Sequence, residues 1–232
     1  MGFERVWDES CPRVWDSWEA DGVKWVIRDL RPEDDEEALK ILLENMCPDE
    51  ALCVLNNFVD DPESMRCMAD FWRNFISRRM SLGCYEEKDG KSKLVALNVL
   101  VVNCQGEESD DLIEGKAWKN VFGAIKLCET GADYYKLLGI DKVLYAVGLC
   151  VHRDYRGAKL GARILAAREP LALYHGIKGT STVFTGVASQ RSAARAGFTT
   201  AFTITLKELA EAGLNYPKDD SRSIKLMIKK YE

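Results

Sequence analysis

At 232 residues, 47% of them hydrophobic, the chain suits one compact domain whose core needs no disulfide or metal staple. A net charge of −5 with no Lys/Arg block argues against a nucleic-acid partner, and the longest apolar run, residues 94–102, is too short to span a bilayer. Eight cysteines without a C-x-x-C pair, beside only two histidines, argue against a zinc site and a secreted disulfide framework.

Free thiols, a reducing cytoplasmic setting and no bound metal are therefore expected. The first twenty residues are rich in Trp, Asp and Glu and lack the apolar block of a signal peptide. Residues 1–22, with Trp7, Trp15 and Trp18, are read as an extension packed on a domain formed by residues 23–232. Residues 24–30 read as a first strand. Pro32-Glu33-Asp34 then opens a helix, because proline suits the first turn and acids favour its positive end. Leu52, Leu55 and Phe58 mark a second helical region. Asp61-Pro62-Glu63 starts a longer helix carrying Met68, Phe71, Trp72 and Phe75. Strands over 82–86 and 93–102 are joined through Asp89-Gly90, a hairpin signal. Residues 105–112 form a polar loop with four acids, and helices are expected over 118–129 and 131–138.

The second half changes rhythm. Residues 142–151 are apolar on both faces, as a buried central strand should be, and run directly into Arg156-Gly157-Ala158-Lys159-Leu160-Gly161. The helix that follows has Leu160, Ile164, Ala167 and Leu171 as its stripe. A strand over 181–185, a helix over 189–196 and strands over 199–206 and 223–230 complete an α/β pattern around one mixed sheet. A tight loop at a helix N-terminus leaves backbone N–H groups free for an anion, and glycines let a pyrophosphate approach closely. The spacing is neither that of a Walker A loop nor G-x-G-x-x-G. The loop alone is equally a turn that happens to contain two glycines.

The run from Leu149 to Gly161 resembles the acetyl-CoA signature of the GNAT superfamily of N-acetyltransferases, R/Q-x-x-G-x-G/A, with a strand before it and a helix after it. Arg156 matches its first position and Gly161 its last, while Lys159 stands at the usual middle glycine. That lysine either crowds the pyrophosphate or adds an ammonium to its binding. The run from Ser181 to Phe198 resembles the same superfamily's next strand–helix unit. With Pro32-Glu33-Asp34 and Asp49-Glu50-Ala51-Leu52-Cys53, the chain resembles the insect arylalkylamine N-acetyltransferase branch from about Trp25 onward.

The resemblance implies a single GNAT-like α/β domain, its mixed central sheet flanked by helices and its strands splayed at the acetyl-CoA site. It implies Glu50 as the catalytic base acting through water. Leu149, Cys150 and Val151 would lie along the pantetheine arm, and Arg156, Gly157, Ala158, Lys159, Leu160, Gly161 and Ala162 around the pyrophosphate. Ser189 matches one serine of the late helix, as a catalytic and cofactor-contacting residue, and Thr185 replaces another. Tyr145 is a candidate general acid toward the departing thiolate. An alkylammonium of pKa about 10 cannot attack a thioester until it loses a proton, so a positioned carboxylate is needed on chemical grounds as well.

His152 reads first as a structural histidine, Cys150 as a buried thiol rather than a nucleophile, and Phe71, Trp72, Phe75 and Tyr85 as core. The expected activity is direct acetyl transfer from acetyl-CoA to a small primary amine such as an arylalkylamine, by a monomer without nucleic acid or membrane. Polyamine, agmatine or protein-lysine acceptors are the alternative. Lys159 also leaves room for a non-catalytic CoA-binding module.

Overall fold

The computed structural model describes residues 3–107 and 112–232; residues 1 and 2 of the expected extension and 108–111 of the acidic loop lie outside that range. In chain order the elements are β1 (Val14–Ala20), β2 (Val23–Asp29), α1 (Asp35–Ile41), α2 (Ala51–Leu55), α3 (Pro62–Ser77), β3 (Leu82–Lys88), β4 (Lys91–Cys104), α4 (Lys116–Thr130), α5 (Tyr134–Leu138), β5 (Lys142–Val151), α6 (Leu160–Tyr174), β6 (Gly179–Phe184), α7 (Val187–Arg195), β7 (Thr199–Thr205), α8 (Leu206–Glu211) and β8 (Ser223–Lys230). Among the described residues the strands form one eight-stranded sheet, ordered β1-β2-β3-β4-β5-β6-β8-β7. Every neighbouring pair is antiparallel except β5 and β6.

That exception shapes the molecule. The parallel ladder between β5 and β6 consists of Leu144 opposite Thr180 and Tyr145 opposite Ser181, after which the strands part. Beyond this point β5 pairs with β4 alone and β6 with β8 alone. The register of β4 and β5 also shifts between Val99 and Leu100, which leaves Val147 as an extra residue on β5. A bulge of this kind bends and re-aims a strand. Here its carbonyls are met from both sides: Trp72 Nε1 donates to Val147 at 2.9 Å, and Asn98 Nδ2 donates to Gly148 at 2.6 Å.

The sheet buries both faces. Helices α1 to α4 cover one, with Leu42, Trp72, Phe75 and Trp118 in its core; α6 covers the other, with Leu100, Ile164 and Leu171. Helix α3 begins where proline and a capping acid meet: Pro62 is in its first turn and Asp61 accepts from Ser64 N at 3.2 Å. Asp61 also accepts from Ala117 N at 3.0 Å, tying the start of α4 to that of α3. These donors hold its carboxyl down at about 2.

Four features differ from the sequence reading. A strand, β1, precedes the expected first one and forms the edge of the sheet; Trp15 within it and Arg5 in the segment before it both donate to Asp29. The chain after α1 widens into a π-helical turn, Leu42–Met46. Helix α8 follows β7 directly, started by a capping box in which Thr205 and Glu208 satisfy each other's backbone N–H. The expected helical region through Leu52, Leu55 and Phe58 is α2 followed by a separate 3₁₀ turn, Phe58–Asp60.

Candidate active site

The loop between β5 and α6 exposes free backbone donors at a helix N-terminus, the chemistry that an anion requires. The N–H groups of Lys159, Leu160 and Gly161 have no acceptor among the described residues and lie at the positive end of a fifteen-residue helix. Gly157 has φ +89°, a conformation that side chains resist, and no atom lies within 4 Å of where its Cβ would be. Lys159, with φ +59°, holds the left-handed conformation that the glycine it replaces would adopt freely.

Arg156 is engaged by the protein itself. Its guanidinium donates to Asp49 Oδ2 at 2.7 Å, Asn45 O at 2.7 Å and Val151 O at 3.2 Å. Arg153 holds the same carboxylate through two bonds of 3.0 Å, and its N–H donates to Asn45 Oδ1 at 3.1 Å. Arg153 first and Arg156 second hold the Asp49 carboxyl below its usual range. The loop between β5 and α6 is thereby clamped to the π-helical turn and to the residue preceding Glu50.

Glu50 caps α2: its Oε2 accepts from Cys53 N at 2.8 Å, and its backbone N–H donates to Met46 O at 2.8 Å. The second oxygen, Oε1, accepts a hydrogen bond from the hydroxyl of Thr185, just past the end of β6. Each carboxylate oxygen thus has one donor and keeps a lone pair for a further proton or water. The side chain is half-buried on the wall of the main cavity.

That cavity, about 1860 Å³, passes through the splay. One arm runs between α6 and α7, lined by Gly157, Gly161, Ala162, Leu165, Ser189 and Ser192. Its other arm lies against α3 and α4, walled by Phe71, Trp72, Phe75, Trp118 and Phe122. The rings meet edge to face, with centroids 5.3 Å apart for Phe71 and Trp118 and 5.5 Å for Trp118 and Phe122. Of the candidate site residues, the structure brings Glu50, Tyr145, Leu149, Cys150, Val151, Arg156, Gly157, Lys159, Leu160, Gly161, Ala162 and Ser189 to this one cavity. Ala158 stands on the exposed outer side of the loop.

Tyr145 sits at the vertex of the splay, where the β5–β6 ladder ends. Burial, then the adjoining Glu129 carboxylate, raises its phenol well above the usual value, so it stays protonated. Ser189 is in the first turn of α7 and donates to Gly186 O at 2.8 Å. Burial pushes the Cys150 thiol up to about 12, which leaves little thiolate for a covalent route. His152 caps a 3₁₀ turn, its Nδ1 accepting from Asp154 N at 3.3 Å, in keeping with the structural reading.

Sequence reasoning missed Asn45, Asp49 and Arg153, and gave Thr185 no role. Asp49 had a weak signal, an acid immediately before the expected base. Arg168 was also missed, although a charged residue four positions after Ile164, on the inward stripe of α6, is the kind of irregularity that marks a buried polar group. No helix of the described residues is long and apolar enough to cross a membrane.

No protein-family model matches the chain, and no curated protein does. Among solved structures, a protein of the yellow fever mosquito Aedes aegypti designated arylalkylamine N-acetyltransferase 7 is 28% identical, with a TM-score of 0.92 over 99% of this chain and 100% of the other. Arylalkylamine N-acetyltransferase 2 of Aedes aegypti is 15% identical, with a TM-score of 0.75 over 90% of this chain and 99% of its own. The polyamine N-acetyltransferase of Drosophila melanogaster, which forms N-acetylagmatine, is 18% identical, with a TM-score of 0.71 over 89% and 99%.

Proposed function

This chain has the GNAT fold and resembles the insect arylalkylamine N-acetyltransferase branch, and from that premise we propose that it is an acetyl-CoA-dependent N-acetyltransferase of small primary amines, with arylalkylamines as preferred acceptors. The observation that carries this reading is the single cavity joining the anion-binding end of α6 to Glu50 through the splayed strands.

The residues present fit the cofactor. Lys159, Leu160 and Gly161 offer N–H groups to the pyrophosphate, and Gly157 leaves its approach open. The part of β5 from Ala146 to Val151, which has no partner on its β6 side, offers backbone groups to the amides of the pantetheine arm. Bound there, acetyl-CoA supplies the activated acyl group. Glu50 takes the ammonium proton through water, worth about 10²- to 10⁴-fold in rate. Backbone N–H groups of β5 in the cleft polarise the acyl carbonyl, as oxyanion-hole donors do. Tyr145, kept protonated at the vertex, is the candidate hydrogen-bond donor toward the departing thiolate. With the Cys150 thiol held neutral, attack by the amine is direct.

The ring-walled acceptor arm favours an aryl group over a second cation. Glu129, one of the acids on the cavity wall, lies 3.1 Å from Lys126, so its charge is met within the protein. Eight free thiols support a cytoplasmic setting. The test is thiol release from acetyl-CoA with tyramine, dopamine, serotonin, tryptamine, agmatine, spermidine and a lysine peptide. Turnover highest with the aryl amines is expected. Turnover confined to agmatine and spermidine moves the acceptor class, and acetyl-CoA binding without any turnover leaves a CoA-binding module.

A further inference from the structure

Arg168 is fully buried, yet no carboxylate pairs with it among the described residues. Its Nε donates to Asn98 Oδ1 at 2.7 Å and its Nη1 to Thr182 Oγ1 at 3.0 Å, while Nη2 is buried with no acceptor among the described residues. Burial lowers the guanidinium only to about 10, so it stays charged near neutrality. A buried cation without a counter-ion is destabilising before its hydrogen bonds are counted, and an apolar side chain would fill the same space without that penalty.

Its position explains what it serves. Asn98 on β4 also holds the Gly148 carbonyl of β5, and Thr182 is on β6 just past the last paired residue, Ser181. The chain Gly148–Asn98–Arg168–Thr182 therefore bridges β5 and β6 where their backbone ladder stops. Arg168 lines the arm of the cavity between α6 and α7. It is eight residues beyond Leu160, about 12 Å along the helix from the anion-binding end. A pantetheine arm leading from that end toward the vertex carries two amide carbonyls and no charge, and such a carbonyl is an acceptor for Nη2.

We propose that Arg168 is a cofactor-binding residue whose Nη2 donates to an amide carbonyl of the pantetheine arm, while its bonds to Asn98 and Thr182 fix the width of the slot that the arm enters. This rests on the reading that the cavity takes acetyl-CoA.

The test is calorimetric binding of two probes, CoA and adenosine 3′,5′-bisphosphate, the second carrying nucleotide and phosphates but no pantetheine. Wild type binds both. Arg168→Lys and Arg168→Gln weaken CoA by about 10- to 100-fold, the range for one hydrogen bond to a charged group, and leave the bisphosphate within twofold. Equal losses for both probes, or no loss for CoA, would overturn the proposal. Failure of wild type to bind CoA sinks the acetyltransferase reading along with it. Should the variants not fold, wild-type protein labelled with ¹⁵N-arginine decides: CoA shifts the buried guanidinium resonance and the bisphosphate does not. A resonance indifferent to CoA, as expected if Nη2 served only an internal water shared with neighbouring Tyr231, contradicts the assignment.

Discussion

The two arms of the cavity are built differently. The cofactor side is nearly contiguous: β5, its loop and the start of α6 supply Leu149 to Ala162 in one stretch. The acceptor side is assembled across the fold. Glu50 is held by Thr185, 135 residues away, and Asp49 by Arg153 and Arg156, 104 and 107 residues away. A contiguous strand–loop–helix carries its chemistry in backbone geometry, whereas the acceptor side depends on side chains that meet only once the sheet has formed. The Asp49 clamp is where the two meet, so the loop between β5 and α6 is mechanically joined to the residue beside Glu50.

Substitutions can break this division. The largest effect is expected from Glu50→Gln, which lowers kcat/KM by about 10²- to 10⁴-fold while CoA affinity stays unchanged by calorimetry. Gly157→Val is its mirror image: an L side chain at φ +89° is strained by about 1–2 kcal/mol, so the loop shifts and CoA binds about tenfold more weakly, with kcat at saturation preserved. Thr185→Val removes the donor to Glu50 and lowers kcat about tenfold without altering CoA binding. Lys159→Gly relieves a left-handed lysine and raises unfolding free energy by about 1 kcal/mol in urea titration, offset in part by the freer unfolded chain.

Acid sharpens the comparison most gently. Asp61, held at about 2 in the fold against about 4 when unfolded, contributes stability above pH 4 that is lost as pH falls from 4 toward 2. Because it joins α3 to α4, amide exchange at pH 3 should rise in that pair before it rises in α6. In Asp61→Asn the difference between the two regions disappears.

The same contrast explains what could be read from sequence. The central strand, the RGAKLG loop and the following helix were legible because hydrophobic runs, glycines and a helix start are local signals. Glu50 was legible through resemblance, but not its hydroxyl partner. The splay itself was expected only from the resemblance; the Val147 bulge and the two-pair β5–β6 ladder that produce it are matters of register, set by partners distant in sequence. The edge strand β1 was hidden because its exposed, tryptophan- and acid-rich residues lack a clean alternating pattern. The π-helical turn left no periodic trace, although its Asn45 carbonyl receives Arg156.

On this reading cofactor and amine occupy one cavity together, and the acetyl group passes directly between them. Initial rates over a grid of acetyl-CoA and tyramine concentrations test it most directly. Intersecting reciprocal plots, the mark of a ternary complex, are predicted; parallel plots, the mark of an acyl-enzyme, would contradict it.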